Sequence, residues 1–415
     1  MPLALLDTFA SFRHRNYRLF FIGQTISLVG SWMQAVAQGW LVLLLTDSSL
    51  MLGLAGALNT LPLLLFSFWG GVVADQADKR RLLLATNSAG LVMALTLGLL
   101  IFTDLVQVWQ IMVLLFGIGT AMAFDIPGRQ SFIVELVGRN DLPNAIALNS
   151  SLFNGTRALG PAFAGILIAS VGIANCFFLN ALSYVAPLIC LALLRLPPRP
   201  RPDHRLRTIA GTRELFSFIS RQRPELGWIM AILAINAVFA LSYTVLMPII
   251  ARDILQAGPR GYGFLMAASG VGAFFGALVL AGLIRRYPPM PFFWGGTALM
   301  LAALFLLSCN RSFWLALAFL FFTGFGMTIA ISTGNSLVQL HVPDEMRGRI
   351  MSLFGLTFLG FTPAGNFLYG LLSHYFGPCL TIRLGTGLAA LLVLFCFLAR
   401  PGLRRLRFTS ELPEA

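Results

Sequence analysis

Long apolar runs recur along the whole sequence and constrain its fold more than any other feature. A helix needs about 20 apolar residues to cross the roughly 30 Å of hydrocarbon in a bilayer. Runs of this kind lie near residues 18–45, 50–74, 82–103, 108–133, 142–170, 173–195, 227–252, 261–284, 290–309, 313–337, 346–373 and 379–399. The sequence therefore predicts an all-α integral membrane protein with twelve transmembrane helices, numbered here as spans 1 to 12.

The composition excludes a soluble fold. Hydrophobic residues make up 57% of the chain and charged residues only 11%, whereas ordinary globular domains carry about a quarter charged residues. A soluble protein with 36 phenylalanines would have too few charges to cover its exterior. The bilayer must therefore solvate most of this chain.

The basic residues indicate membrane topology rather than nucleic-acid binding. The formal net charge is +13, yet Lys and Arg recur at intervals instead of gathering in one exposed domain. Of the 29 basic residues, 24 fall in the N-terminal segment, in alternate loops, in the span ends that flank those loops, or in the C-terminal tail. The positive-inside rule then predicts that both termini are cytoplasmic.

The two halves of the sequence resemble each other. A shift of 205 residues places four glycines of span 5 on four glycines of span 11: Gly155, Gly160, Gly165 and Gly172 on Gly360, Gly365, Gly370 and Gly377. This match indicates an internal duplication. The predicted domains are a cytoplasmic N-terminal segment (1–17), a six-helix bundle (18–195), a cytoplasmic central loop (196–226), a second six-helix bundle (227–399) and a cytoplasmic tail (400–415). Such halves are typical of a carrier with its substrate site at their interface.

A polar stripe runs along span 1. Its members are spaced by three and four residues and share one helical face: Gln24, Ser27, Ser31, Gln34 and Gln38. Hydrocarbon offers no hydrogen-bond partner, so this face must contact protein or water. Two alternatives follow, namely interhelical hydrogen bonds and an aqueous substrate cavity.

Five residues are candidate substrate contacts in such a cavity. Gln34 and Gln38 come from the span 1 stripe, and Asn335 comes from a similar stripe in span 10. Asn236 and Tyr243 lie in span 7, which corresponds to span 1 in the duplication.

Charged residues inside the spans are few. Asp125 is the one acid well inside an apolar run, with Arg129 one helical turn beyond it and Arg157 in the next span. A buried carboxylate needs a partner, so we expect Asp125 to pair with Arg129 or Arg157. The pair either joins two spans statically or exchanges its arginine for a proton and so couples proton movement to a conformational change.

Span 5 combines small residues with a proline. Glycine at 155, 160 and 165 permits close approach of another helix, and Pro161 removes one backbone donor. This pattern predicts a closely packed, bent helix that moves during transport.

The loop after span 2 reads "GGVVADQADKRR". Gly71, Asp75, Lys79 and Arg80 resemble the conserved loop motif of the major facilitator superfamily, although Gln76 and Asp78 depart from it. The resemblance implies a cytoplasmic gate in which Asp75 pairs with a neighbouring helix while the carrier faces outward.

Other stretches resemble the same superfamily. Arg129 is similar in placement to its fourth-span arginine implicated in proton handling, and "GPAFAG" resembles its fifth-span motif of proton-exchanging exporters. "NYRLFFIGQTISLVGSWMQ" and "VPDEMRGRIMSLFG" look like the branch of enterobactin-type siderophore exporters and drug-efflux pumps. The resemblance implies the major facilitator fold, with two pseudo-symmetric six-helix bundles in a bacterial inner membrane.

Together these features predict a proton-coupled exporter of a small amphipathic molecule, such as a siderophore or drug. The alternative is a lysophospholipid or other lipid transporter of the same fold. An enzyme is not expected, because the four histidines are scattered and no acid pair lies in a span. We expect no cofactor beyond the proton gradient, no metal, no nucleic-acid partner, contact with membrane lipids and a monomeric state.

Overall fold

The computed structural model describes residues 9–138, 140–195, 222–284 and 286–399, and within 344–352 it omits six side chains. The predicted C-terminal tail (400–415), most of the central loop and the first eight residues of the N-terminal segment lie outside the described residues. The described N-terminal part includes a 3₁₀ helix, Ala10–Arg13.

The first half of the chain forms six helices that match spans 1 to 6. They are α1 (Arg15–Thr46), α2 (Ser49–Gln76), α3 (Lys79–Phe102), α4 (Val108–Val137), α5 (Leu142–Val171) and α6 (Ile173–Ala192). Two of these helices begin with N-terminal capping residues. Asp78 caps α3 by accepting a hydrogen bond from the Arg81 amide, and Gln107 and Gln110 form a reciprocal capping box on α4.

The second half repeats this order with two interruptions. Its helices are α7 (Pro224–Phe239), α8 (Gly258–Leu283), α9 (Pro289–Cys309), α10 (Phe313–Leu340), α11 (Asp344–Gly360), α12 (Thr362–Phe376) and α13 (Pro378–Ala399). After α7, span 7 continues as a 3₁₀ segment, Leu241–Leu246, one α turn and a π turn, Ile250–Ile254.

Span 11 is broken into α11 and α12 at Phe361. Eleven described segments are each long and apolar enough to cross a membrane, and the two pieces of span 11, 17 and 15 residues long, are too short to do so alone. Pro363 follows the break and has no backbone N–H to donate to an earlier turn. Joined end to end, α11 and α12 supply the twelfth span, which confirms the predicted all-α, twelve-helix fold.

The duplication is visible in the helix boundaries. A shift of 205 residues carries the start of α4 onto the start of α10 and the start of α6 onto the start of α13. Gly172 and Gly377, which precede α6 and α13, have φ values of 90° and 78°. Glycine adopts this conformation far more easily than residues with a Cβ atom, so the repeat preserves the same turn in both halves.

The helices pack into two compact units. Unit 1 contains the described residues of Met1–Asp47, Leu58–His204 and Ala257–Ala267, and unit 2 contains those of Ser48–Ala57, Arg205–Gln256 and Ala268–Ala415. The units thus follow the sequence halves except at the beginnings of α2 and α8, each of which belongs to the unit of the other half.

Within unit 1, α6 packs on α1 and α3, and α5 packs on α1. An aromatic and aliphatic cluster closes the end that holds the chain's N-terminal segment, with Phe20 of α1 edge-on against Phe132 of α4. In unit 2, α9 packs on α10 and α13, and α13 also packs on α7.

Close helix contact in unit 2 generates a stability prediction. A Cβ at Gly276 of α8 would lie 2.6 Å from the Phe325 carbonyl oxygen of α10, whereas Gly282 of the same helix has nothing within 4 Å. Overpacking of this kind costs about 1–3 kcal/mol. We expect Gly276→Ala to lower the Tm of the detergent-purified protein, and Gly282→Ala, the matched control, to leave it unchanged or slightly raised, because alanine favours helix. Equal melting temperatures would contradict the contact.

Candidate functional site

The centre of the candidate site is an ion pair on α4. The Nε atom of Arg129 lies 2.6 Å from the Oδ2 atom of Asp125, and the side chains are 22% and 16% exposed respectively. Because the two residues are four positions apart, one face of the helix presents both charges. Of the two arginines expected as partners of Asp125, the structure thus pairs it with Arg129.

Neighbouring helices complete the hydrogen bonding of this pair. The Oδ1 atom of Asp125 accepts a hydrogen bond from Thr86 Oγ1 at 2.9 Å and a longer one from Asn87 Nδ2 at 3.4 Å, both on α3. Arg129 Nη1 donates to Gln24 Oε1 of α1 at 2.8 Å. The pair therefore joins three helices of unit 1, and hydrogen bonds to an ionised group are stronger than those between neutral groups.

A second group of polar side chains lies further along α1. Asn180 of α6 donates to Gln34 Oε1 at 2.5 Å and accepts from Ser183 at 3.0 Å. Tyr184 of the same helix packs on α3, where a Cβ at Gly90 would lie 3.0 Å from its hydroxyl oxygen.

The span 1 stripe is consequently buried inside unit 1. Gln24, Ser27, Gln34 and Gln38 are between 3% and 7% exposed. Gln24 and Gln34 have partners on α4 and α6, which favours the first of the two alternatives, interhelical hydrogen bonding, for these two residues.

Four of the five candidate substrate contacts are buried in this structure, namely Gln34, Gln38, Asn236 and Tyr243. The Gln38 amide nitrogen and both polar atoms of Asn236 lack partners among the described residues, while Tyr243 lies 3.3 Å from Ser269 Oγ. Asn335 is partly exposed and accepts a hydrogen bond from Gln339. A role in substrate binding stays a prediction for all five.

Arg157 of α5 contacts an aromatic ring on α1. Its guanidinium carbon lies 5.9 Å from the centroid of the Trp32 ring on α1, within cation–π range. The same tryptophan packs on Gly160, where a Cβ would lie 2.5 Å from the Trp32 Cβ. The permanently charged Arg157 side chain of span 5 therefore lies over the face of the Trp32 ring on α1.

The glycine–proline motif forms a close contact with α8. Pro161 lies inside the continuous helix α5, and Gly155 has open space around it. A Cβ at Gly165 would lie 2.9 Å from the Gly263 Cα, in the part of α8 that belongs to unit 1.

Unit 2 contains the duplicate of this contact. Gly370 is the counterpart of Gly165, and a Cβ there would lie 2.6 Å from the Gly53 Cα of α2. Ser49 strengthens the contact by donating a hydrogen bond to the Gly370 carbonyl at 3.3 Å. Both contacts bring residues of opposite sequence halves together within a single unit.

In the loop motif, the two basic residues have partners, whereas Asp75 is exposed. Lys79 Nζ lies 2.5 Å from Glu135 Oε1 of α4, and Arg80 donates to the Ala192 carbonyl at the end of α6 at 2.7 Å. Asp75 is exposed and has no ion-pair or hydrogen-bond partner in the described part of the chain, and Gly71 has no close neighbour. The partner expected for Asp75 is therefore not engaged here.

Several residues of the site escaped sequence reasoning: Thr86, Asn87, Glu135, Asn180 and Tyr184. Thr86 and Asn87 stand among the few polar residues of span 3, and Asn180, Ser183 and Tyr184 recur at one-turn spacing in span 6. The periodicity argument that found the span 1 stripe would have found the span 6 group. Thr86 and Asn87 are adjacent in sequence and form no periodic pattern.

The sequence matches known transport proteins over nearly its whole length. The profile of a family described as transmembrane secretion effector matches residues 6–411. The chain is 25% identical to a staphyloferrin A transporter of Staphylococcus aureus, with 92% of this chain and 96% of that protein covered. It is 28% identical to an enterobactin exporter of Salmonella paratyphi A, with 100% and 98% covered.

The fold is also similar to solved structures. A bacterial homologue of the human lysosomal transporter Spinster, in an inward-facing and unoccupied conformation, superposes with a TM-score of 0.71 at 14% identity. The match covers 95% of this chain and 96% of that one, and at this identity it concerns the fold alone.

The ion pair generates a test that separates a static role from a coupling role. Removing one partner of a buried pair leaves the other charge uncompensated and costs about 3–5 kcal/mol, whereas replacing both with apolar residues is often neutral. We expect Asp125→Leu and Arg129→Met each to lower the Tm of the purified protein, and the double variant to regain most of it.

Transport by the double variant then distinguishes the two roles. A static pair would recover transport together with stability, whereas a coupling pair would recover stability alone. Unchanged melting temperatures in both single variants would show that the pair contributes little to packing.

Proposed function

Because the chain belongs to the transmembrane secretion effector family of the major facilitator superfamily, we propose that it exports a small amphipathic molecule in exchange for protons. The protein is a multi-pass membrane transporter and not an enzyme. A siderophore or a drug is the proposed substrate, in keeping with the named substrates of its relatives, staphyloferrin A and enterobactin.

The observation that carries the proposal is the Asp125–Arg129 pair with its bonds to α1 and α3. An ionised carboxylate inside a span is stable only while it is paired. Binding of a proton neutralises Asp125 and removes its attraction to Arg129. The hydrogen bond that Thr86 donates then loses its charged acceptor, while Gln24 still accepts from Arg129, which has lost its counter-ion. Protonation of Asp125 would thereby change the hydrogen bonds that join α1, α3 and α4.

The two glycine contacts support alternating access. Gly53, Gly165, Gly263 and Gly370 all lie within two turns or so of the helix ends that are remote from the basic loops. We propose that both termini are cytoplasmic, in the inner membrane of a bacterium, which puts these contacts at the outer side. Each contact brings residues of opposite sequence halves together within one unit, as expected of helices that separate and rejoin during alternating access.

The remaining parts of the proposal concern energy and assembly. The proton gradient is the proposed energy source, with no cofactor and no metal. Within the described residues no three His, Cys, Asp or Glu side chains lie together as metal ligands would. We propose that the transporter works as a monomer surrounded by membrane lipids and without a nucleic-acid partner.

Lipid transport is the second candidate. A groove of about 690 Å³ lies between α9 and α13 of unit 2, and its lining is almost wholly apolar, including Trp294, Phe305, Leu306, Leu394 and Phe397. Such a lateral groove suits an acyl chain. Uptake of labelled lysophospholipid by proteoliposomes separates this candidate from solute export.

Efflux measurements test the main proposal. Inverted membrane vesicles energised by respiration should accumulate a siderophore or drug substrate, and a protonophore should abolish the accumulation, because the exchange uses the proton gradient. We expect Asp125→Asn to abolish accumulation while the variant still binds substrate. Wild-type accumulation by Asp125→Asn would show that the proton travels elsewhere.

The loop motif yields a separate prediction. If Asp75 pairs only when the carrier faces outward, then Asp75→Asn should shift the conformational equilibrium away from that state and slow transport several-fold. The amount of protein in the membrane should not change, because Asp75 is exposed and has no ion-pair or hydrogen-bond partner among the described residues. Asp78→Asn is the control, because it removes a nearby loop carboxylate that only caps α3 and contacts the exposed Arg81 side chain. Undiminished transport by Asp75→Asn would contradict the gate role of Asp75.

A further inference from the structure

We propose that the exposed face of α5 around Arg157 binds an anionic group of the transported substrate, and that the substrate is therefore an amphipathic organic anion. This inference rests on the proposed function, in which the chain exports a small amphipathic molecule, and it names the chemical class of that molecule. It also gives Arg157 a role that is separate from the Asp125–Arg129 ion pair.

Three polar residues share one face of α5. Ser150, Asn154 and Arg157 follow one another at spacings of four and three residues. Ser150 is exposed, Asn154 and Arg157 are partly exposed, and Gly155 beside them has nothing within 4 Å. Asn154 donates one of its amide hydrogens to the Ser150 carbonyl at 2.9 Å. This face of α5 is therefore both polar and accessible.

The polar face lies at the depth of the hydrocarbon. The helix α5 is 30 residues long, and Arg157 is close to its midpoint. Since a helix rises 1.5 Å per residue, the roughly 30 Å of hydrocarbon correspond to about the central 20 residues of α5, which include all three polar residues. Hydrocarbon cannot solvate an accessible amide or guanidinium, so water must reach this face. In agreement, α5 has a mean hydropathy of 1.2, the lowest among the eleven long apolar segments described.

Helix α3 shows what a lipid-facing surface of unit 1 looks like. Its exposed hydroxyls, Ser88 and Thr96, belong to side chains that can bond the backbone of their own helix. The large side chains that α3 exposes in its second half are all apolar, namely Val92, Leu95, Leu99 and Phe102. The amide and guanidinium on α5 therefore mark a different environment from the one that surrounds α3.

Aromatic rings complete the candidate site on α5. The guanidinium carbon of Arg157 lies 5.9 Å from the centroid of the Trp32 ring, and that ring meets Phe153 edge-on at 5.5 Å. Phe153 is 46% exposed. Gly160 allows Trp32 to approach α5, because a Cβ at Gly160 would lie 2.5 Å from the Trp32 Cβ. The face thus offers a fixed cation beside an accessible aromatic surface.

This combination selects the class of ligand. The Trp32 ring attracts the guanidinium through its quadrupole, but it carries no net charge and does not neutralise Arg157. A guanidinium is always protonated and binds a carboxylate through two parallel hydrogen bonds. The attraction is stronger at a partly desolvated site than in bulk water. A substrate with an anionic group next to an apolar ring matches the site, whereas a cationic amphiphile is repelled.

The second half of the chain does not repeat the cation. The positions that correspond to Ser150, Asn154 and Arg157 are Gly355, Leu359 and Thr362. The anion-binding face is accordingly expected in unit 1 alone.

Thiol labelling in lipid nanodiscs tests whether water reaches the face. After subtraction of the labelling of the unsubstituted chain, Asn154→Cys should react with a charged, membrane-impermeant thiol reagent, because the reactive thiolate forms in water. Val92→Cys is the control, since Val92 is 58% exposed but lies on the apolar surface of α3. Labelling of Asn154→Cys no faster than that of Val92→Cys would overturn the proposal.

Equilibrium binding tests the charge preference. The probes are naphthoate, an aromatic carboxylate, and naphthamide, its uncharged analogue. We expect the purified wild-type protein to bind naphthoate about ten-fold more tightly, the size of one hydrogen bond to a charged group. Arg157→Gln should remove this preference, and Arg157→Lys should keep part of it, because lysine retains the charge but not the forked geometry. Arg383→Gln, which removes a different arginine inside a span, should leave the preference unchanged.

A purely structural role of Arg157 predicts a different result. Arg157→Gln would then lower the Tm and weaken the binding of both probes equally, and that outcome would overturn the proposal. Failure of the wild-type protein to prefer naphthoate would overturn it too. Binding of the probes uses neither a proton gradient nor net transport, so efflux that is insensitive to a protonophore would overturn the proposed function alone.

Discussion

Hydrocarbon cannot accept or donate a hydrogen bond, and the organisation of this protein follows from that constraint. Each polar side chain inside a span has to find its partner within the protein. The stripe of α1 does so by turning inward, where Gln24 meets Arg129 and Gln34 meets Asn180. The polar residues that look best suited to line a channel are therefore the ones that hold unit 1 together.

Duplication preserved the geometry of the two halves but not their chemistry. The helix order, the left-handed glycines before α6 and α13, and the glycine contacts near 165 and 370 recur. The charged pair occurs in the first half only, and Asn236, the counterpart of Ser31, is buried with its amide unpartnered in the described structure. The close backbone contacts tolerate little variation and recur in both halves. The side chains differ, because only the first half contains the charged pair.

Much of the fold could be predicted from the sequence, because twelve apolar runs admit few arrangements in a bilayer. The break at Phe361 was missed, since apolarity continues through it and only Pro363 marks it. Within the site, residue spacing alone could not decide whether Asp125 pairs with Arg129 or Arg157. It also could not decide whether the span 1 stripe forms interhelical hydrogen bonds or lines an aqueous cavity. Partner choice depends on helix rotation and on Thr86 and Asn180, which lie in other spans and become neighbours only on folding.

The local nature of the Asp125–Arg129 pair limits what it can do alone. Both residues lie on α4, so breaking the pair separates no two helices and by itself moves nothing. A signal must leave α4 through a third residue, and the structure offers Thr86 toward α3 and Gln24 toward α1. Thr86 contacts the carboxylate of the pair and Gln24 contacts its guanidinium, so each responds to the end of the pair that it touches.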